Sequence, residues 1–180
     1  MLSVKWIFRS GFFLLLILLV GASSCARQSI SSLPAESGKT VFFNSFEVPG
    51  DTKSWYWAGS YRFTKDVPPG GGDSALRIRG IQTLPAASFI SKPLRGGGYF
   101  TLECWGKNLD IGGTVQLATI SNYEITETIQ LGIFEEEWEH LESTDTLYVP
   151  PNTSLMLTMQ AGGPVDGTIF VDNLAIRKVR

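Results

Sequence analysis

The sequence predicts an all-β protein in which two sheets pack into a sandwich. Three observations carry this. Its apolar runs are short and rich in β-branched and aromatic residues, clusters of glycine and proline punctuate them, and no segment of the domain keeps a 3.6-residue period over three turns. The chain has 180 residues, enough for one domain of ordinary size once an N-terminal export segment is set aside. With 43% hydrophobic residues, 18% charged residues and 19 glycines, the composition suits a packed core with tight turns and excludes a disordered chain.

At the N-terminus, residues 1–10 carry Lys5 and Arg9 and no acid, residues 12–20 form an unbroken apolar run, and Gly21, Ala22, Ser23 and Ser24 are all small. This is the three-part layout of a secretory signal peptide, assigned to residues 1–24. The apolar run falls short of the roughly 20 residues that a helix needs to cross a bilayer. Residues 19–25, Leu-Val-Gly-Ala-Ser-Ser-Cys, resemble the lipobox of bacterial lipoproteins, whose cysteine is acylated and becomes the mature N-terminus. The match departs from the family in having Ala22 where Leu is usual, and Ala22-Ser23-Ser24 also fits an ordinary signal-peptidase site. The resemblance implies an exported protein held to a membrane of the cell envelope through lipidated Cys25, since a second acyl chain turns marginal binding into stable anchoring. Ala26, in place of an Asp at that position, points to the outer membrane. With Cys25 acylated, Cys104 has no disulfide partner and is expected as a buried thiol. Cleavage before Cys25 removes Lys5 and Arg9, leaving 13 basic against 17 acidic residues and a net charge of −4. A mildly acidic chain without a basic cluster is a poor nucleic-acid binder.

Residues 25–39 are Ser-rich, contain Pro34 and show no apolar period, which predicts a flexible tether ahead of a domain over residues 40–180. Ten strands are predicted in that domain, over residues 41–47, 61–65, 75–80, 88–94, 99–108, 114–120, 125–134, 138–149, 154–160 and 168–179. Turns made of Gly and Pro lie at 68–72, 96–98, 112–113, 150–151 and 162–164. Side chains alternate between the faces of a strand, so Phe100, Leu102 and Cys104 share one face and Thr101, Glu103 and Trp105 the other. By the same rule Ile169 and Val171 lie opposite Phe170 and Asp172.

Six pieces then occur in a recognisable order. Asn44-Ser45-Phe46-Glu47 is followed by Trp55; residues 98–107 read Gly-Tyr-Phe-Thr-Leu-Glu-Cys-Trp-Gly-Lys; the strand 114–120 comes next. Glu137-Trp138 opens a further strand, Tyr148-Val149-Pro150 closes it, and residues 167–176 read Gly-Thr-Ile-Phe-Val-Asp-Asn-Leu-Ala-Ile. Together they resemble the jelly-roll carbohydrate-binding modules of families four, nine and twenty-two, within the wider galactose-binding-like fold. The resemblance covers essentially the whole domain and implies a jelly-roll β-sandwich. It implies less about function, because the same fold also serves protein contacts and plain architecture.

Two sets of site residues follow from the resemblance. One acid on the first strand and one on the last bind a structural Ca²⁺ in that family, and the matching positions are Glu47 and Asp172, helped by backbone carbonyls near the strand 75–80, with Asp73 as a weaker third candidate. The alternative is a pair of solvated or salt-bridged acids partnered by Arg62 or Lys65. For a polysaccharide ligand, the resemblance implies a cleft on an open sheet face. Trp105 and Tyr123 would be stacking platforms, Gln116 and Thr158 hydrogen-bonding groups, and the aromatic segment 55–61 would contribute Trp57 and Tyr61. Each of these aromatics also has an ordinary packing reading, and Trp138 reads as core. Leu84-Pro85-Ala86-Ala87-Ser88 carries neither the stacking Trp nor the cleft acid that family members often place there.

Catalysis is not expected. His140 is the only histidine and sits in an acid-rich strand, no G-x-S-x-G signature is present, and Glu135, Glu136, Glu137 and Glu139 read as a solvated edge. Two functions remain: a non-catalytic glycan-binding envelope lipoprotein, or a structural or protein-binding one that kept the fold without a sugar cleft. Exposed aromatics aligned on one sheet face distinguish the first from the second.

Overall fold

The computed structural model describes residues 38–80, 85–122, 124–162 and 167–180. The assigned signal peptide, Cys25, most of the tether, Leu84 and Tyr123 lie outside these residues. The strands are β1 (Lys39–Asn44), β2 (Tyr56–Trp57), β3 (Ser60–Thr64), β4 (Ala75–Arg79), β5 (Ala87–Ile90), β6 (Gly98–Asn108), β7 (Gly113–Ser121), β8 (Glu124–Ile133), β9 (Glu139–Glu142), β10 (Leu147–Val149), β11 (Ser154–Ala161) and β12 (Thr168–Lys178). A 3₁₀ turn, Pro49–Thr52, follows β1.

All pairings are antiparallel, and they form two sheets. The seven-stranded sheet runs β10-β6-β12-β4-β3, with β1 on β12 and β9 on β6; the five-stranded sheet runs β2-β5-β11-β7-β8. The inner faces meet in one core, where Leu76, Ile78, Leu102 and Val171 of the larger sheet pack with Val115, Leu117, Leu157 and Met159 of the smaller, all fully buried. Cys104 is buried in the same layer as a free thiol, and burial, with a smaller contribution from the Glu103 charge, pushes its pKa up to about 12. Such a thiol stays protonated and chemically inert.

Three local departures from the predicted strands matter for the site. The first strand stops at Asn44 rather than residue 47, because Phe46 adopts φ 51° and its N–H donates to Asn44 Oδ1 at 2.9 Å. Glu47 therefore belongs to the loop that follows. The predicted strand 138–149 is two strands, since Ser143 leaves the ladder to bond Leu102 through both its N–H (2.8 Å) and its Oγ (3.0 Å). Trp138 is not core: it is half-buried on the outside of the larger sheet, where Nε1 donates to Asp66 at 2.9 Å and its ring meets Phe170 edge-on.

The passage from β6 to β7 carries the chain from one sheet to the other. Asn108 pins it by accepting from the N–H groups of Asp110 (2.8 Å) and Gly112 (2.7 Å) while donating to the Phe134 carbonyl at 3.2 Å. Gly112 sits at φ 90°, a region that side chains with a Cβ rarely adopt.

Candidate functional site

The outward face of the five-stranded sheet carries one continuous row of side chains, one from each strand. Tyr56 on β2 lies opposite Ser88 on β5, Ser88 opposite Thr158 on β11, Thr158 opposite Gln116 on β7, and Gln116 opposite Gln130 on β8. Directly opposed residues share a face, and the flanking residues Phe89, Leu157, Leu117 and Ile129 point into the core. Four interstrand steps of about 4.8 Å make this row roughly 19 Å long. Hydroxyl and amide groups along it can both donate and accept hydrogen bonds.

Aromatic rings stand near both ends. Tyr56 is 56% exposed at the β2 edge. At the β8 edge, Phe134 is 66% exposed, and its ring lies over Gly132 and against Gly112, where a Cβ on either glycine would run into it. Gly132 pairs with Thr114 one row along, so the Phe134 ring covers the same outward face. The neighbouring row on the other side, Ile90, Met156, Ala118 and Thr128, adds an exposed apolar side chain in Ile90.

Of the residues singled out in the sequence, Gln116 and Thr158 are thus adjacent on this face, whereas Trp105 is not with them. It lies on β6, half-buried on the outward face of the seven-stranded sheet, between Asp172 and His140 in the cross-strand row and edge-on to the His140 ring. Trp57 and Tyr61 stack at 4.0 Å between ring centroids at the seam between the sheets, tied down by Trp57 Nε1 to the Thr52 carbonyl and a Thr52–Tyr61 hydroxyl contact, each 3.2 Å. Tyr123 lies outside the described residues. Tyr56 lay within the aromatic segment 55–61 singled out in the sequence, whereas Ser88, Gln130 and Phe134 were not expected as site residues; strand alternation around 114–120 and 154–160 contained the signal for the polar row, but the pairing partners did not follow from it. His140, Glu135, Glu136, Glu137 and Glu139 are all exposed.

On the larger sheet, Asp172 is fully buried, with Oδ1 accepting from its neighbour Asn173 N–H at 2.8 Å and Oδ2 lacking any partner. It occupies a bulge: Asn173 takes φ 48° and the register against β6 shifts between Asp172 and Ala175. Burial pushes its carboxyl up to about 6; the Asn173 N–H opposes this and the charge of Glu47 adds to it. Glu47 is held from the opposite side by Asp73 N–H at 2.9 Å, and Gly72 leaves it room, since a Cβ there would coincide with the Glu47 carboxylate. Lys65, one of the two cations in the alternative ion-pair reading, donates instead to the Asp73 carbonyl at 2.8 Å, and no described Lys or Arg forms an ion pair with Glu47 or Asp172. A buried orphan oxygen beside a second carboxylate suits a hard divalent cation, which takes oxygen ligands. Among the described residues no group of three or more His, Cys, Asp and Glu gathers, so the remaining ligands of such a cation would be carbonyls and water.

The class that this architecture defines is the two-sheet antiparallel jelly-roll β-sandwich. The chain is similar to the CBM22-1 xylan-binding domain from Paenibacillus barcinonensis, with a TM-score of 0.61 and 14% identity over 81% of this chain and 98% of that one. It is similar to the C-terminal family 22 carbohydrate binding module of Clostridium thermocellum, with a TM-score of 0.57 and 12% identity over 81% of this chain and 98% of that one. With the N-terminal CBM22-1-CBM22-2 tandem domain of Paenibacillus barcinonensis the TM-score is 0.57 and the identity 16% over 81% of this chain, which spans 46% of the tandem's length. No protein-family model and no curated protein matches the chain. At these identities the likeness establishes the fold.

Proposed function

We propose that the protein is a non-catalytic polysaccharide-binding lipoprotein of the cell envelope, and that a neutral sugar chain lies across the outward face of its five-stranded sheet. The observation that carries this is the row Tyr56-Ser88-Thr158-Gln116-Gln130, in which every strand contributes one group able to bond a hydroxyl. A pyranose ring offers an apolar face to Tyr56 at one edge and to Phe134 at the other, while its hydroxyls meet the amides between them. Glu47 and Asp172 would hold a Ca²⁺ that ties the loop after β1 to the last strand; its role is to neutralise two facing acids and support the fold. The lipidated Cys25 would keep the domain at the membrane, outer-membrane attachment following from Ala26.

Affinity electrophoresis of the detergent-solubilised full chain through a gel containing soluble xylan tests the reading. Retardation is expected, weakened about fivefold by Tyr56→Ala or Gln116→Ala, since loss of one ring contact or hydrogen bond is worth about 1 kcal/mol. Trp105→Ala, on the other sheet, is expected to migrate like the wild type. Unretarded migration of the folded wild type through xylan and other neutral glycans would transfer the proposal to a structural or protein-binding role.

A further inference from the structure

The outward face of the seven-stranded sheet, on the other side of the sandwich from the sugar row and one row along from Asp172, bears a second array. Arg62 on β3 lies directly opposite Arg77 on β4, Arg77 opposite Phe170 on β12, and Phe170 opposite Lys107 on β6. Arg79 stands two residues along β4 on the same face, so three of the six arginines in the described residues gather at one corner of one sheet. This runs against the charge of the whole chain, which is −2.

Lys107 is bound by Asp66 Oδ2 at 3.0 Å, and the other ion pair among the described residues joins Arg177 to Glu103. Neither Arg62 nor Arg77 pairs with a described carboxylate. Like charges directly opposite on neighbouring strands destabilise a sheet, and here Arg62 is exposed and Arg77 half-buried. Arg77 is also positioned: its guanidinium lies over the buried Phe170 ring, 5.8 Å from the centroid, with Lys107 Nζ at 5.7 Å. A guanidinium held over an aromatic ring keeps its N–H fork free for a carboxylate or phosphate.

We infer that Arg62 and Arg77 form a second binding surface for the anionic groups of an acidic polysaccharide. Charge complementarity selects an anion, and the fold argues for a polymer over a lipid headgroup. The segment 1–37 joins the domain where β1 begins, at Lys39 opposite Lys178. Phe170 lies eight residues from Lys178 along β12, roughly 26 Å away at 3.3 Å per residue. The arginine row is therefore at the far end of the sandwich from the chain's entry.

The test is affinity electrophoresis of the full chain in detergent through polygalacturonate, with xylan as the neutral control and micelles doped with phosphatidylglycerol as competitor. Retardation by polygalacturonate is expected to weaken with added salt and to fall at least about tenfold in Arg62→Gln/Arg77→Gln, as two charge-assisted contacts are lost. Both substitutions are on the surface, and an unchanged thermal midpoint verifies folding. The behaviour on xylan is expected to be the same in wild type and variant, so failure here is distinct from failure of the neutral-glycan reading. Absence of retardation by polygalacturonate, equal retardation of wild type and variant, or displacement by the phosphatidylglycerol micelles would each overturn the inference.

Discussion

Asp172 is a buried carboxyl held well away from its ordinary state. Its carboxyl moves from an ordinary 3.8 to about 6, first through burial and further through Glu47. A carboxyl whose folded pKa exceeds its unfolded one binds its proton more tightly in the folded state, so this group favours folding at low pH. That contribution is lost as pH rises from about 4 through 6, and the full shift corresponds to roughly 3 kcal/mol. In EDTA, the thermal midpoint of the wild type is expected to fall between pH 4.5 and 7.5 more than that of Asp172→Asn. Calcium at pH 7.5 should restore the wild type and leave the variant unmoved; parallel pH profiles would show that the buried carboxyl is not the source. That Glu47 and Asp172 come close enough for one charge to act on the other was legible in the motifs around them. Their surroundings were not, because they depend on the left-handed turns at Phe46 and Asn173 and on the space left by Gly72, none of which alternation encodes.

Alternation separates inside from outside within a strand, and it did so for Phe100, Leu102 and Cys104 and for Ile169 and Val171, all buried. It says nothing about which sheet receives the strand. Trp105 and Gln116 are both outward-facing and only eleven residues apart, yet the crossover pinned by Asn108 sends β6 and β7 to different sheets, so the two look away from each other. The same limit hid β2, whose two residues pair only because β5 is already in place. The β8 edge shows how a missing side chain shapes a site. Gly132 gives Phe134 its seat, and Gly132→Val is expected to push the ring away while keeping the strand, where valine is favoured. Loss of that ring should weaken xylan retention about tenfold with little change in thermal midpoint. Unaltered retention would remove Phe134 from the proposed surface.

At the scale of the molecule, the order of strands decides how the domain would stand on a membrane. β1 pairs with the C-terminal half of β12, so the chain enters the sandwich at the end where it also leaves, with Gly38 N–H bonded to the Lys178 carbonyl. A random coil of as many residues as separate Cys25 from that point would span on the order of 20 Å, while the eleven residues of β12 extend roughly 36 Å. An anchor at Cys25 would hold the sandwich by one end and leave the outward faces of both sheets open to polymers alongside. Cys25→Ser separates anchoring from binding. If Cys25 carries the acyl chains, the wild type fractionates with membranes, the variant appears in the soluble fraction, and the soluble variant is still retarded by xylan because no residue of the sheet has changed. A wild type found in the soluble fraction would instead indicate ordinary cleavage near Ala22, Ser23 and Ser24 and a freely diffusing domain, for which the orientation argument separating the arginine row from lipid would no longer apply.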